Sequence, residues 1–199
     1  MEFADEKILA FLNEAEKQRQ PSDIRTGPVR VGQRYYEFEQ KVFFEDKLKI
    51  YIPRDFSDMP EEQRKLKYPY EQRPQIIQSD ETGVINFTLT RIDQELDDES
   101  VEELTDGMKA MMKRANPSNV FYSDGTEYAD GKPIGYFEFK GTALDGYVYY
   151  IMFFLEFEGE TVMGTFCCLY ADYADWRDTA FQVIRTISIV KEEEGDAIL

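Results

Sequence analysis

The sequence predicts an α+β fold: a three-layer α/β/α sandwich around a mostly antiparallel central sheet of about six to seven strands. Three observations predict it. Strand-length runs with apolar alternation recur along most of the chain, separated by short turn dipeptides. A few segments change to helical spacing. One run, YVYYIMFFLEF, is apolar on both of its alternating sets, so it needs cover on both faces, and in an antiparallel sheet that cover comes from helices on each side.

The elements follow in order. Residues 1–18 place Ile8, Phe11, Leu12 and Ala15 at helical spacing, an amphipathic helix that docks on the chain's own sheet or is offered to a partner's groove. Residues 19–34 hold two Pro and two Gly and no apolar period, which reads as a linker crossing the surface. Residues 35–190 form a single domain. It opens with alternation that sets Tyr36, Phe38, Val42 and Phe44 against Glu37, Glu39 and Lys41, turns at Glu45 and Asp46, and returns through LKIYIP to Pro53. Asp58 and Glu61 have capping-box spacing before a short helix through Leu66, with Pro60 in its first turn.

After the loop KYPYEQRPQ, VINFTLTRI alternates Ile85, Phe87 and Leu89 against Asn86, Thr88 and Thr90, a half-buried strand. Ser100 and Glu103 form a second capping box. The helix behind it carries Leu104, Met108 and Met111, with Val101, Thr105 and Met112 beside them, and stops at Asn116-Pro117. A meander follows, with Asp124-Gly125, Asp130-Gly131 and Asp145-Gly146 as hairpin turns. Its strand GYFEFK buries Phe137 and Phe139 and exposes Glu138 and Lys140. A closing helix lines up Trp176, Ala180, Val183, Ile184 and Ile187 behind an Asp172 or Asp175 cap and lies across the sheet. Residues 191–199 read as a solvated acidic tail.

Composition narrows the chemistry. The chain has 40 acidic and 23 basic residues, a net charge of −17, which repels phosphate backbones and anionic membranes, so neither nucleic acid nor membrane is an expected partner. The start MEFADEKILA has no secretory character and no segment approaches a membrane span, so the expected location is cytoplasmic. Cys167 and Cys168 are adjacent on a strand, where neighbouring side chains point to opposite faces, and are expected as free, buried thiols.

The chain contains no histidine, which removes the commonest general base and imidazole metal ligation together. Neither a phosphate-binding loop nor a dinucleotide fingerprint is present. Eight acids lie between positions 93 and 106, but a calcium loop beginning at Asp93 would put Asp98 where Gly is needed and Leu104 where Glu is needed. They read as acids at a helix N-terminus. No catalytic residue, metal or cofactor is therefore assigned, and an enzyme is not expected. The candidate partner-binding residues are Tyr68, Tyr70 and Arg73, in a loop that also holds Pro69 and Pro74, because Tyr and Arg are enriched at binding hot spots. The competing reading has the tyrosines covering a sheet edge and Arg73 pairing with surface acid.

The element order, together with LKIYIPRDF, the meander LDGYVYYIMFFLEFEGETVMGTF and the closing DWRDTAFQVIRTI, resembles the PsbP-like superfamily, also called Mog/PsbP. That superfamily includes photosystem accessory subunits, a Ran-binding import factor and bacterial secretion chaperones. IPRDFSDMP and YPYEQRPQII also resemble a group of bacterial proteins sharing IP-x-x-F-x-x-MP and YP-x-x-x-RPQII. The resemblance spans 35–190 and implies a binding or accessory role, adaptor or chaperone-like, with another protein as partner. It carries over no functional residue. Two alternatives stand beside it: a carboxylate-based enzyme or small-molecule binder with a pocket between sheet and helix, and an interaction protein that neutralises a toxin or caps a cationic partner.

Overall fold

In a computed structural model that describes residues 23–71, 73–143 and 146–190, the middle layer is a seven-stranded antiparallel sheet. The strands are β1 (Val29–Val31), β2 (Arg34–Tyr36), β3 (Phe38–Phe43), β4 (Leu48–Pro53), β5 (Ser57–Asp58), β6 (Ile76–Ser79), β7 (Asn86–Glu95), β8 (Val120–Ala129), β9 (Lys132–Ala143), β10 (Gly146–Phe157), β11 (Glu160–Leu169) and β12 (Ser188–Ile189). The helices are α1 (Glu61–Lys67), α2 (Val101–Ala115) and α3 (Tyr173–Ile184). The large sheet runs β5-β6-β7-β11-β10-β9-β8, beside a small sheet β12-β4-β3 and a β1-β2 hairpin. The helix expected over 1–18, the tail 191–199 and Asp145 lie outside the described residues.

The sandwich has the expected three layers. On one face α2 packs Leu104, Met108 and Met112 onto Phe137, Phe139 and Phe154. On the other, α3 and the small sheet close over a larger core that includes Phe87, Phe153 and Phe166. The outer layer on that side is therefore part helix and part sheet. YVYYIMFFLEF is an interior strand, with Phe153, Phe154 and Leu155 all buried, because alternate side chains enter opposite cores.

Two glycines set how closely these layers approach. A Cβ on Gly135 would lie 2.0 Å from Thr105 Oγ1, so the missing side chain lets α2 sit down on β9. A Cβ on Gly164 would lie 2.0 Å from the Phe153 ring of the paired strand, so the far end of that ring occupies the space a side chain would take.

Several expectations require correction. Within the stretch 19–34 read as a linker, the described part from Asp23 onward buries Ile24, Val29 and Val31, and β1 pairs with β2. Spaced Pro and Gly there serve a hairpin. Lys41 does not face outward: it pairs across from Ile50, and its ammonium donates to the Phe56 carbonyl and to Gln78 Oε1, whereas Val42 is exposed. Neither capping box forms. Asp58 sits in β5 and accepts from Gln78 Nε2, while Asp97 caps a 3-10 turn ahead of α2 by accepting from the Ser100 N–H. Asp172 makes no side-chain cap of α3. Met111 faces water, and the packed side of α2 runs through Leu104, Met108 and Met112.

Asp124-Gly125 is inside edge strand β8, where the register shifts between Phe121 and Asp124 as at a β-bulge. Asp130-Gly131 does turn, with φ of 51° and 77°, and Glu158-Gly159 makes the corresponding turn between β10 and β11 with 54° and 81°. Strand β7 is covered on both faces at Asn86 and Thr88, so it is more than half-buried. IIQS forms β6 beside it, a strand the alternation did not indicate.

The largest departure is Glu138, expected outside and only 2 % exposed. Arg177 of α3 donates to it twice, Nε to Oε2 at 2.8 Å and Nη2 to Oε1 at 2.7 Å, and the hydroxyls of Ser123 on β8 and Tyr149 on β10 donate as well. Burial alone would raise the Glu138 pKa. The hydrogen bonds from Arg177, Ser123 and Tyr149 outweigh burial and hold it below its ordinary value.

A carboxyl depressed in the folded state adds stability above its unfolded pKa of about 4.3. That stability is lost as pH falls through the folded value. Urea midpoints followed from about pH 7 to about pH 3 should therefore drop for the wild type. E138Q should be less stable near neutrality by about 3 kcal/mol, since Arg177 loses its counter-charge, and should show a shallower acid slope. Equal midpoints and slopes would rule out the clamp. Gly135→Ala should cost about 1–3 kcal/mol in the same assay through overpacking against Thr105.

Candidate functional site

The candidate contact loop follows α1, and its geometry comes from the way that helix ends. The Tyr68 N–H caps the Arg64 carbonyl at 2.8 Å, and Lys67 Nζ donates to the carbonyls of Gly83 (2.6 Å) and Val84 (3.2 Å). The Tyr68 hydroxyl turns inward and donates to Asn86 Oδ1 on β7 at 3.2 Å. Arg73 Nε donates to the Tyr68 carbonyl at 2.7 Å, and its guanidinium lies 3.7 Å from Glu61. The three candidate residues therefore have different positions. Tyr68 is a wall against the sheet, Arg73 braces the loop, and Tyr70 is 79 % exposed. Leu66, on the last turn of α1, is 85 % exposed.

Tyr68 stands on the same face of the sheet as α2, and the two do not meet. Between them lies a cleft of about 370 Å³. One wall is Tyr68 and Pro74, and the other is Met112, Asn116 and Asn119 at the end of α2. Thr88, Thr165, Cys167 and Met163 form one half of the floor. Phe139, Gly141, Tyr150 and Met152 form the other half. The Tyr150 ring stacks on Phe139 with centroids 4.9 Å apart and planes 16° apart. It also leans over Gly141, where a Cβ would come within 3.1 Å of it. The cleft exists because α2 stops at Ala115, short of the end of β9 and β10, and the loop covers only the β7 side.

Among the described residues no charged side chain lines the cleft, and Lys67 reaches it only as a hydrogen-bond partner of the Cys167 thiol. Burial pushes the Tyr150 hydroxyl up to about 12 and raises Tyr68 further. Burial also pushes the Cys167 thiol up, against the opposing effects of Lys67 and Asn86, and the thiol lies 3.2 Å from Asn86 Oδ1. The Tyr68, Tyr150 and Cys167 side chains are thus protonated near neutrality, and what the described lining offers is shape and hydrogen-bonding groups.

The carboxylates sit elsewhere. Glu138 faces the opposite core and its two oxygens are occupied by four hydrogen bonds. Of the acids at positions 93–106, Asp97 caps a turn and Asp98 pairs with Lys132 at 3.1 Å. Among the described residues no three His, Cys, Asp or Glu side chains converge as metal ligands. Cys167 and Cys168 are free and buried, on opposite faces of β11, as their adjacency predicts.

Sequence reasoning brought forward Tyr68 but not the residues that face it. The available signal was the second alternating set of β7, β10 and β11. There Thr88, Tyr150, Met152 and Thr165 stand where a fully packed face would carry large aliphatic residues.

No protein-family model matches the chain, and no curated protein matches its sequence. Solved structures share its fold. Cyanobacterial PsbP (CyanoP) from Synechocystis sp. PCC 6803 is 12 % identical with a TM-score of 0.56, the match covering 80 % of this chain and 96 % of that one. A protein from Bacteroides thetaiotaomicron VPI-5482 is 10 % identical with a TM-score of 0.53, the match covering 77 % of this chain and 49 % of that one. LpqN of Mycobacterium tuberculosis, whose structure is described as involved in cell envelope biogenesis, is 11 % identical with a TM-score of 0.47 over 81 % and 95 %. At these identities the likeness is one of fold, and the fold is PsbP-like, as the sequence motifs implied.

A phenol whose pKa is raised by folding ionises first in the unfolded chain, at its ordinary value of about 10. The stability it contributes is present below that pH and is lost as pH rises toward about 12. Guanidinium midpoints between about pH 9 and about pH 11 should fall for the wild type and fall less steeply for Tyr150→Phe. Parallel slopes would mean that the Tyr150 hydroxyl already meets bulk water.

Proposed function

We propose that this chain is a non-enzymatic binding module, adaptor or accessory in role, that holds a protein partner at the loop after α1. One observation carries the reading: Leu66 and Tyr70 project into solvent, 85 % and 79 % exposed, from backbone that is pinned by Lys67, Tyr68 and Arg73. A large apolar side chain on a fixed backbone loses little conformational freedom on docking, and tyrosine is enriched among interface hot spots. The PsbP-like fold supports the reading by resemblance, since that superfamily is one of accessory and partner-binding proteins. The lack of a carboxylate among the described residues of the cleft and the four hydrogen bonds that occupy Glu138 weigh against a carboxylate enzyme at either place.

A photo-crosslinking amino acid at position 70 in the native cell should give one dominant protein adduct. The same probe at Tyr128, which also faces solvent at 69 % exposure on edge strand β8, should not give that adduct. With the partner purified, Tyr70→Ala should weaken binding by about 2 kcal/mol, roughly 30-fold, and Leu66→Ser should weaken it as well. The same adducts from positions 70 and 128, or full affinity in both variants, would sink the reading.

A further inference from the structure

We infer that the cleft between the loop after α1 and the end of α2 is a binding site for one uncharged small molecule with a flat apolar body and a hydrogen-bonding group. Its volume of about 370 Å³ is at the small end of the roughly 300–1,000 Å³ typical of ligand sites. Met112, Met152 and Met163 give it polarisable walls that adapt to an irregular apolar surface. The Tyr150 ring, held parallel to Phe139, offers a plane on which a flat body stacks.

Hydrogen-bonding capacity is also present and unused. Thr88 is 4 % exposed, yet among the described residues its hydroxyl has no hydrogen-bond partner, and the same holds for the Tyr150 hydroxyl and for the Asn119 amide at the rim. Tyr150 and Asn119 are only partly buried, and the described buried side-chain atom without a partner, Gln63 Oε1, is not among the lining residues, so the polar groups of the cleft are open to water that an occupant's own hydrogen-bonding group would replace. The occupant's charge follows from the lining. An anion would find no cation among the described lining residues, since Lys67 is engaged by the Cys167 thiol and the Gly83 and Val84 carbonyls, and it would also enter against the −17 of the whole chain. A cation would meet no carboxylate. Either charge would be desolvated without compensation.

The test uses two probes with the same aromatic body. N-phenyl-1-naphthylamine is uncharged, and 8-anilinonaphthalene-1-sulfonate carries a sulfonate. Titrated into the full chain, the uncharged probe should give a saturable one-to-one fluorescence increase, and the sulfonate should bind at least about tenfold more weakly. Thr165→Phe and Met163→Trp, which put bulk on the floor, should each weaken the uncharged probe by about tenfold or more while thermal unfolding stays cooperative. Asn116→Trp does the same from an exposed position at the mouth and keeps the test decisive if a floor variant fails to fold. Tyr70→Ala should leave probe affinity unchanged, which separates this site from the proposed partner surface. No saturable binding to the wild-type chain, equal affinity for both probes, or unaltered affinity in the folded filling variants would each overturn the inference.

Discussion

Glu138 is a carboxylate taken out of water on an interior strand, and much of the fold is arranged to keep it ionised. A lone buried carboxylate would cost several kcal/mol. Donors from three separate elements remove that cost: Ser123 from the neighbouring strand on one side, Tyr149 from the neighbour on the other, and Arg177 from the helix above. The bidentate guanidinium specifies where along the sheet α3 lies and how it is rotated, which non-directional apolar contacts do not. Trp176, Ala180 and Val183 then fall over the core as a consequence. At the far end of α3, the Thr186 hydroxyl donates to the Val183 carbonyl and accepts from the Tyr51 N–H at 2.9 Å, so the small sheet is tied to the same helix.

That closure has a consequence for the opposite face. With α3, the small sheet and the β1-β2 hairpin all on one side, the described residues put α2 and the loop after α1 on the other side of the seven strands. Thr105 seated over Gly135 places α2 across β9 and β10, and Tyr68 bonded to Asn86 places the loop over β7. The strip between them stays open. The same asymmetry explains the different character of the two cores: one large, closed and holding a satisfied ion pair, the other a small phenylalanine cluster bordered by a cleft lined with methionine, threonine and tyrosine. Rigid scaffold on one side and adaptable lining on the other is the usual division between what holds a fold and what it presents.

Much of this was legible in the residues. The doubly apolar β10, the 3.6-residue stripe of α3 and the stop of α2 at Asn116-Pro117 follow from local periodicity and proline sterics, and the structure has each. What was not legible depends on partners distant in sequence. Glu138 alternates with Phe137 and Phe139 as a solvent-facing residue would, and only Arg177, 39 positions later, makes its burial tolerable. Lys41 reads outward until Phe56 and Gln78 are found to accept from it. The two capping boxes had the right spacing, but sheet pairing drew Asp58 away and a 3-10 turn moved the cap to Asp97. Of the candidate contact residues, the chain placed all three on one loop, yet which of them faces water is decided by Asn86 and Glu61.

The strong negative charge and the neutral cleft bear on one another. A field from 17 excess acids biases every encounter with a charged solute, but it falls off within about a Debye length, roughly 8 Å at physiological salt. It acts on approach, and the short-range lining acts on residence. A cleft with no charged wall, in a protein that repels anions at long range, selects by shape and hydrogen bonding alone. The absence of histidine completes this logic. Tyr68, Tyr150 and Cys167 are all raised by burial, so no lining group changes charge near neutral pH, and occupancy should not depend on pH through the neutral range. The exposed Leu66 and Tyr70 lie on the outer side of the same wall whose inner side is Tyr68 and Pro74. One braced loop therefore carries the surface read as a partner contact and one boundary of the cleft.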